Sequence, residues 1–435
     1  MAFRKCLCVI LLAFVAMVAR ADHFTSVDHT QYQNYTATKM TVMMPDGTTR
    51  YPVGTEVAAF VNGECRAAGK VQASKTGVLS VFLSLLGDYK EKFVFCVWDG
   101  ENEIPCGGGT IDYDATAPTI KKTITAGHMT ADDLEDGGWL TLDKSLWPEV
   151  TSLQLDGTWT AEQVATAQSK MGENGLIYIA SSDESIVGKE NVVIVNGDSR
   201  TAAHLRLTGG KSFAPLYSFT SADIQLSRSL WVDGGWETLM LPFTPTSVKD
   251  AEGKECIDEF VCETYGGTDA SAHTISFDRI DGGLASAPVD QCMIVSHKDA
   301  VASSAPLQYN IMYAGEAVTI AAASAHTTDK GVVGVYTPHA VTEEEYAGYQ
   351  VYVLNAAGTK WTLAKSTVTI PPFCGYFSPE TSSGVKAFSV VRGEEDPDAI
   401  LGVSQPKAER VYDLTGRKAH RAGIIIRGGK KYVKE

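Results

Sequence analysis

Residues 53–71 read VGTEVAAFVNGECRAAGKV. Two apolar, strand-like arms, 55–61 and 64–71, meet at Asn62-Gly63. Asn and Gly both tolerate the positive φ that a two-residue hairpin loop demands, so the pair is a strong hairpin signal. The same grammar continues on both sides. Upstream, KMTVMM (39–44) meets TRYPV (49–53) through the turn Pro45-Asp46-Gly47-Thr48. Downstream, VLSVFLSLL (78–86) and EKFVFCVW (91–98) are joined at Gly87-Asp88-Tyr89. Asp99-Gly100 turns the chain again, and TIKKTIT (119–125) closes the set. A run of short strands without a helix predicts an Ig-like β-sandwich over residues 22–128. Its polar start, 22–36, reads as a flexible lead.

The pattern changes from residue 129. VTSLQLDG (150–157) is strand-like. TAEQVATAQSKMG (160–172) predicts a helix, with Thr160 as cap, Gln163 at the capping-box position, and Val164, Ala167 and Met171 on one face. Strands LIYIA (176–180), NVVIV (191–195) and HLRLT (204–208) follow, so 129–212 reads as a small strand-helix-strand segment, α/β or solenoid-like. Residues 213–391 are again strand-rich, with WETLMLPF (236–243), HTISFDRI (273–280), CMIVSH (292–297), LQYNIMY (307–313), AVTIAAA (317–323), GVVGVY (331–336), QVYVLN (350–355), KWTLA (360–364) and FCGYF (373–377). Turn residues divide them at the spacing of a second sandwich-like domain. In WETLMLPF both faces are apolar, as for a strand inside a packed sandwich. An acidic linker, 392–410, leads to a basic C-terminal β-hairpin tail, 411–435. The fold class is therefore mainly β.

The first 21 residues stand apart. Arg4 and Lys5 precede an apolar run from Cys6 to Ala19, and Ala19-Arg20-Ala21 has the small-x-small form of a cleavage site. This predicts a secretory signal peptide, cut between Ala21 and Asp22. The run is short for a membrane span, and no later stretch is long enough, so no transmembrane segment is expected after its removal. The expected location is extracellular or at the outer cell surface, with the periplasm as the fallback.

Removing Arg4, Lys5 and Arg20 takes the formal charge from −15 to −18. Residues 411–435 carry seven Lys/Arg against Asp413 and Glu435, net +5, so the rest of the mature chain is at −23. Such a body repels nucleic acid and anionic membranes. Of nine Cys, Cys6 and Cys8 fall in the leader and seven remain. An odd, sparse set lying mostly in apolar runs reads as buried free thiols rather than a disulfide scaffold.

Catalytic signatures do not emerge. The nine His fall at no metal-site spacing, and there is no G-x-S-x-G elbow. CGGGT (106–110) lacks the Lys of a phosphate loop and reads as a turn. The acidic turns 99–103, 112–118 and 132–138 read as solvated loops, with calcium the alternative that oxygen ligands on a loop would suit. No catalytic, cofactor-binding or metal residue is assigned. Trp147, Trp159 and Trp231, near turns or strand ends, are the candidates for stacking on sugar, against a core or rim role. Trp139, Trp236 and Trp361 read as strand residues.

Four stretches carry a resemblance: VGTEVAAFVNGECRAAGKV with FVFCVWDG, FTSADIQLSRSLWVDGGWETLMLPFTP (219–245), YVLNAAGTKWTLAKSTVTIPPFCGYF (352–377) and the tail. Together they resemble the modular secreted and surface proteins of Bacteroidetes-type bacteria. The tail resembles the C-terminal hairpin that ends a type IX secretion sorting domain, on Tyr412, Asp413, Leu414, Gly416, Arg417, Gly423, Gly429, Lys430 and Lys431, with Ile425 where such hairpins usually carry Tyr. The resemblance implies export or surface display, with secretion machinery as a partner of the tail. It implies no shared ligand, because a fold is weak ground for a function. The expected function is non-enzymatic binding or adhesion toward glycan or an extracellular or host protein. The alternatives are an unrecognised secreted hydrolase, glycan- or peptide-directed, or a structural surface-assembly subunit.

Overall fold

At the Asn62-Gly63 turn both residues have positive φ, 49° and 82°. That geometry twists the chain the way paired strands twist, and Glu56–Val61 and Glu64–Lys70 pair antiparallel across it. The computed structural model describes residues 23–32, 34–87, 91–100, 102–112, 119–301, 303, 305–323, 331–380, 384–392, 423–427 and 430–434. The chain falls into two units, Met1–Val390 and Val391–Glu435. Strand dominates, in several large sheets, two of them curled into nearly closed, barrel-like forms.

The first such sheet has eight strands: β1 (Tyr35–Met43), β2 (Glu56–Val61), β3 (Glu64–Lys70), β4 (Gln72–Ala73), β5 (Leu79–Leu86), β6 (Lys92–Trp98), β7 (Glu103–Asp112) and β8 (Ile120–Ala126). They lie in the order β3-β2-β6-β7-β8-β1-β5-β4, and β1 runs parallel to β8. The ends curl until β3 meets β5. A Cβ on Gly69 would stand 2.9 Å from the Leu83 side chain and 3.2 Å from the Phe82 carbonyl, so glycine permits the approach. Arg66 Nη1 on β3 donates to the Leu86 carbonyl on β5 at 3.3 Å.

Alternate residues fill the interior: Met40 and Val42, Val57 and Ala59, Val81, Leu83 and Leu85, Phe93, Phe95 and Val97. The outer face is treated in two ways. On β2 and β6 the residues between, Ala58, Val94 and Cys96, are also buried, against Trp139, Leu153 and Ile177. That accounts for the unbroken apolar run FVFCVW. On β1, and on β5 from Val81 onward, the outer residues stay accessible and burial alternates.

The lead is not free. Phe24 is buried against Phe60. His23 stacks on Trp98 with centroids 3.8 Å apart, and the Val27 N–H donates to the Cys65 carbonyl at 2.9 Å. A polar segment with one anchoring ring and complementary carboxylates, Glu56 and Glu103, docks despite its composition.

The middle sheet starts with parallel neighbours His128–Met129, Ser152–Leu155, Leu176–Ile179 and Val192–Asn196. The expected helix, Ala161–Lys170, connects two of them. Thr160 Oγ1 accepts the Gln163 N–H, and Gln163 Oε1 accepts the Thr160 N–H. The sheet continues through Ser199–Ala202 and Phe219–Leu230 to Leu307–Ile320 and Ser247–Asp250. Residues 213–391 therefore serve two large sheets. Of their other strands, His339–Ala340 and Thr369–Ile370 pair as a small sheet of their own, while most form a nine-stranded sheet, from Glu237–Leu239 at one end to Gly331–Val335 at the other. It nearly closes where the Gly375 N–H donates to Thr238 Oγ1 at 3.0 Å and the Met240 N–H to the Phe373 carbonyl at 3.1 Å. Rings fill it: Phe277, Tyr352, Trp361, Phe377 and Phe388. The outer face of Phe260–Asp269 and Met293–His297 packs on Ile224, Leu226 and Ile311 of the middle sheet.

In the second unit, Gly423–Arg427 pairs antiparallel with Lys430–Lys434.

Candidate functional site

In a half-buried strand, alternate residues point inward. On β5, Val81, Leu83 and Leu85 point inward, which turns Phe82 and Ser84 outward. On β1, Thr36, Thr38, Met40 and Val42 are buried, which turns Tyr35, Ala37 and Lys39 outward. Outward positions on such strands are usually polar. Here Tyr35 is 63% exposed and Phe82 60% exposed. Register places Lys39 between Phe82 of β5 and Lys121 of β8, and Ala37 opposite Ser84. Lys39 Nζ lies 5.3 Å from the centre of the Phe82 ring, a cation–π contact. Tyr35 stands four residues along β1 from Lys39, about 13 Å at the rise of a strand. The result is a sheet face with a ring toward either end, small residues between, and a row of two ammonium groups. It can stack on a flat apolar surface and pair with an anion.

The other polar clusters join parts of the fold. His128 Nδ1 lies 2.8 Å from Asp156 Oδ2, and Nε2 lies 2.8 Å from the Pro45 carbonyl. Tyr217 Oη donates to the same carbonyl at 2.7 Å. Both ring nitrogens face acceptors, so the doubly protonated imidazolium satisfies both. Burial opposes that charge, but the Asp156 hydrogen bond, the Pro45 carbonyl and the charges of Asp156 and Asp46 outweigh it and raise the His128 pKa. His204 and Arg206 share the Asp223 carboxylate, and His297 pairs with Glu259. Arg228 is 7% exposed. It donates to the Phe373 carbonyl at 2.9 Å, to the Thr238 carbonyl at 3.1 Å and to Cys374 Sγ at 3.2 Å.

All seven thiols of residues 23–435 are free; five are buried, and Cys65 and Cys374 are partly exposed. Burial pushes Cys65 and Cys256 up to about 11 and Cys262 up to about 12. They stay protonated at neutral pH, as inert core residues do. Trp147 and Trp159 do not offer stacking faces. Both are buried, their indole N–H groups donating to the Trp139 and Asp156 carbonyls. Of the acidic turns, 132–138 includes the fully buried Asp133, which accepts the Thr130 N–H at 2.8 Å and caps a short 3-10 helix. It is a structural carboxylate, and most of 112–118 lies outside the described residues. Among the described residues no group of three or more His, Cys, Asp or Glu is placed to hold a metal ion, and no helix is long and apolar enough to cross a membrane.

Ala21 and Asp22, at the expected cleavage site, lie outside the described residues, as do Tyr412, Asp413, Leu414, Gly416, Arg417 and Gly429. Gly423, Lys430 and Lys431 lie in the terminal hairpin, opposite Lys434, Arg427 and Ile426. Tyr35, Lys39 and Phe82 were not singled out from the sequence. The usable signal was the alternation Val81-Phe82-Leu83-Ser84-Leu85, in which Phe82 falls out of phase with the inward set. Comparison of the chain with protein-family models, with curated proteins and with solved structures finds no match in any of the three.

Proposed function

We propose that the chain is an exported, non-enzymatic β protein that binds a glycan or an extracellular protein at the cell surface or in the medium. One observation carries this reading: Tyr35 and Phe82 are left to solvent on one sheet face, Phe82 beside Lys39, on strands whose inward residues are buried. Exposed rings grouped on one face mark a contact surface more often than scattered ones do. In the finer fold reading, residues 22–128 are an Ig-like sandwich module and 213–391 a second sandwich-like one. Each region encloses an apolar interior, which a sandwich has in common with a curled sheet. The signal-like leader and the resemblance to surface proteins of Bacteroidetes-type bacteria support export. The basic tail then serves as a sorting or attachment signal read by secretion machinery.

A screen of the mature protein, residues 22–435, against glycans and extracellular proteins, with and without calcium, tests the binding. Saturable binding lost in Phe82→Ala is the expected result. Turnover of a substrate with no saturable ligand would overturn it in favour of a hydrolase. Deleting residues 405–435 and fractionating cells tests the tail; unchanged levels at the surface and in the medium would reduce it to a structural hairpin.

A further inference from the structure

We propose that the face of Tyr35, Ala37, Lys39, Phe82, Ser84 and Lys121 takes an acidic oligosaccharide, a short chain of carboxylate-bearing sugars. This rests on the reading of that face as a binding surface and names its ligand class. The argument starts from charge. The mature chain carries −18, so an anion is repelled by most of its surface. On this face the two groups beside Phe82 in the cross-strand row are both ammonium, Lys39 and Lys121. The row is therefore a local exception, complementary to a carboxylate.

The second part is shape. A sheet face is flat, and its floor between the two rings is Ala37 and Ser84, which are small. A sugar ring has an apolar C–H face and a polar rim. It can lie flat on Phe82 or Tyr35 while the floor leaves room for the units between. Ser84 is exposed and supplies a hydroxyl to the rim. In the unbound protein the ammonium of Lys39 rests over the Phe82 ring. A sugar carboxylate is the stronger partner, so binding moves that ammonium onto the anion and opens the ring face for stacking. A protein partner fits less well. Stable protein interfaces bury roughly 800 Å² on each side around a cluster of deeply packed anchors. Here two rings are set apart on an open strip.

Calorimetric titration of the mature protein tests this, with oligogalacturonate as the probe and the same oligomer reduced to the neutral galactan as the control. Acidic oligomer should bind at least about tenfold more tightly than neutral, and the difference should shrink at high salt, where screening is strong. Lys39→Gln with Lys121→Gln should abolish the preference while leaving residual stacking. Phe82→Ala should weaken both ligands. Equal binding of the two oligomers, unaffected by the Lys changes but lost in Phe82→Ala, would overturn the acidic class while the binding face stands. Binding insensitive to Phe82→Ala would overturn both. No oligosaccharide binding, with a protein ligand lost in Phe82→Ala, would overturn the sugar and keep the face.

Discussion

The middle sheet is joined to the curled sheets by two polar clusters of opposite character. At one, His128 ties Asp156 to the turn at Pro45, with Asp156 half-exposed. At the other, Arg228 of the strand Phe219–Leu230 reaches into the seam of the last sheet and holds the Phe373 and Thr238 carbonyls, with Glu237 3.7 Å away. One joint uses a histidine, whose pKa its acceptors raise from the ordinary imidazole value. The other uses a group that stays charged at any working pH. Both cations are equally buried, and the difference lies in their partners. Arg228 holds two carbonyls inside the seam although its Nε has no hydrogen-bond partner, whereas the Asp156 partner of His128 is half in water, which makes that contact weaker and dependent on pH.

Arg228→Ala is the sharpest way to break the comparison. It removes the guanidinium donor from the Thr238 carbonyl and from the Phe373 carbonyl, which keeps the Met240 N–H, and it removes the cation beside Glu237, whose own carboxyl burial already pushes up. The expected loss is about 3–5 kcal/mol in denaturant unfolding. A loss under about 1 kcal/mol would mean that the seam closes without the guanidinium.

The glycines at the two closures should rank in the same order. A Cβ at Gly375 would stand 2.3 Å from Cys292 Sγ and 2.5 Å from the Val333 carbonyl, against backbone that cannot give way. At Gly69 the nearest atom is the movable end of Leu83. Gly375→Ala should cost about 1–3 kcal/mol and Gly69→Ala less, compared by midpoint shifts. The reverse order would place the tighter closure in the first sheet.

His128→Gln should cost about 1 kcal/mol, since the Asp156 partner is half in water. The pH dependence distinguishes the joints. The folded pKa of His128 lies above its unfolded value, so its contribution is complete below about 6.5 and fades as pH rises through the folded value. For Asp156, burial raises the pKa but the His128 hydrogen bond and charge lower it more, so its contribution fades only in acid. The wild-type protein should lose more stability than His128→Gln as pH rises above about 6.5. Parallel stability curves would show that His128 carries no charge in the fold. The smallest effect belongs to Phe82→Ala, which should change stability by no more than about 0.5 kcal/mol, so any lost binding reports on contact rather than folding.

Local elements were legible in the sequence. The Asn62-Gly63 hairpin and the capped helix at Thr160 rest on bonds a few residues long, so their side chains announce them. Phe219–Leu230 was not read as a strand, because FTSADIQLSRSL mixes polar and apolar residues. It is a strand because Leu307–Ile320 pairs along its whole length. LQYNIMY and AVTIAAA, read as two strands, are one for the same reason. VLSVFLSLL and EKFVFCVW look like successive neighbours, yet β5 pairs with β1 and β4, and β6 with β2 and β7. Of the candidate face, the outward turn of Phe82 was readable from alternation. Its row with Lys39 and Lys121 was not, since that needs the register of β1 with both β5 and β8.

The sequence by itself determined the mainly β character, the turn at Asn62-Gly63, the Thr160 helix and the charge balance, because each depends on neighbours within a few residues or on composition alone. Only the tertiary structure decided which strands have both faces covered, that Arg228 closes a distant seam, that the polar lead docks through Phe24, and that Tyr35 and Phe82 remain in water. Those outcomes depend on contacts between residues tens to more than a hundred positions apart, where closing the loop costs entropy and the whole set of partners, rather than any local pattern, decides which contacts form.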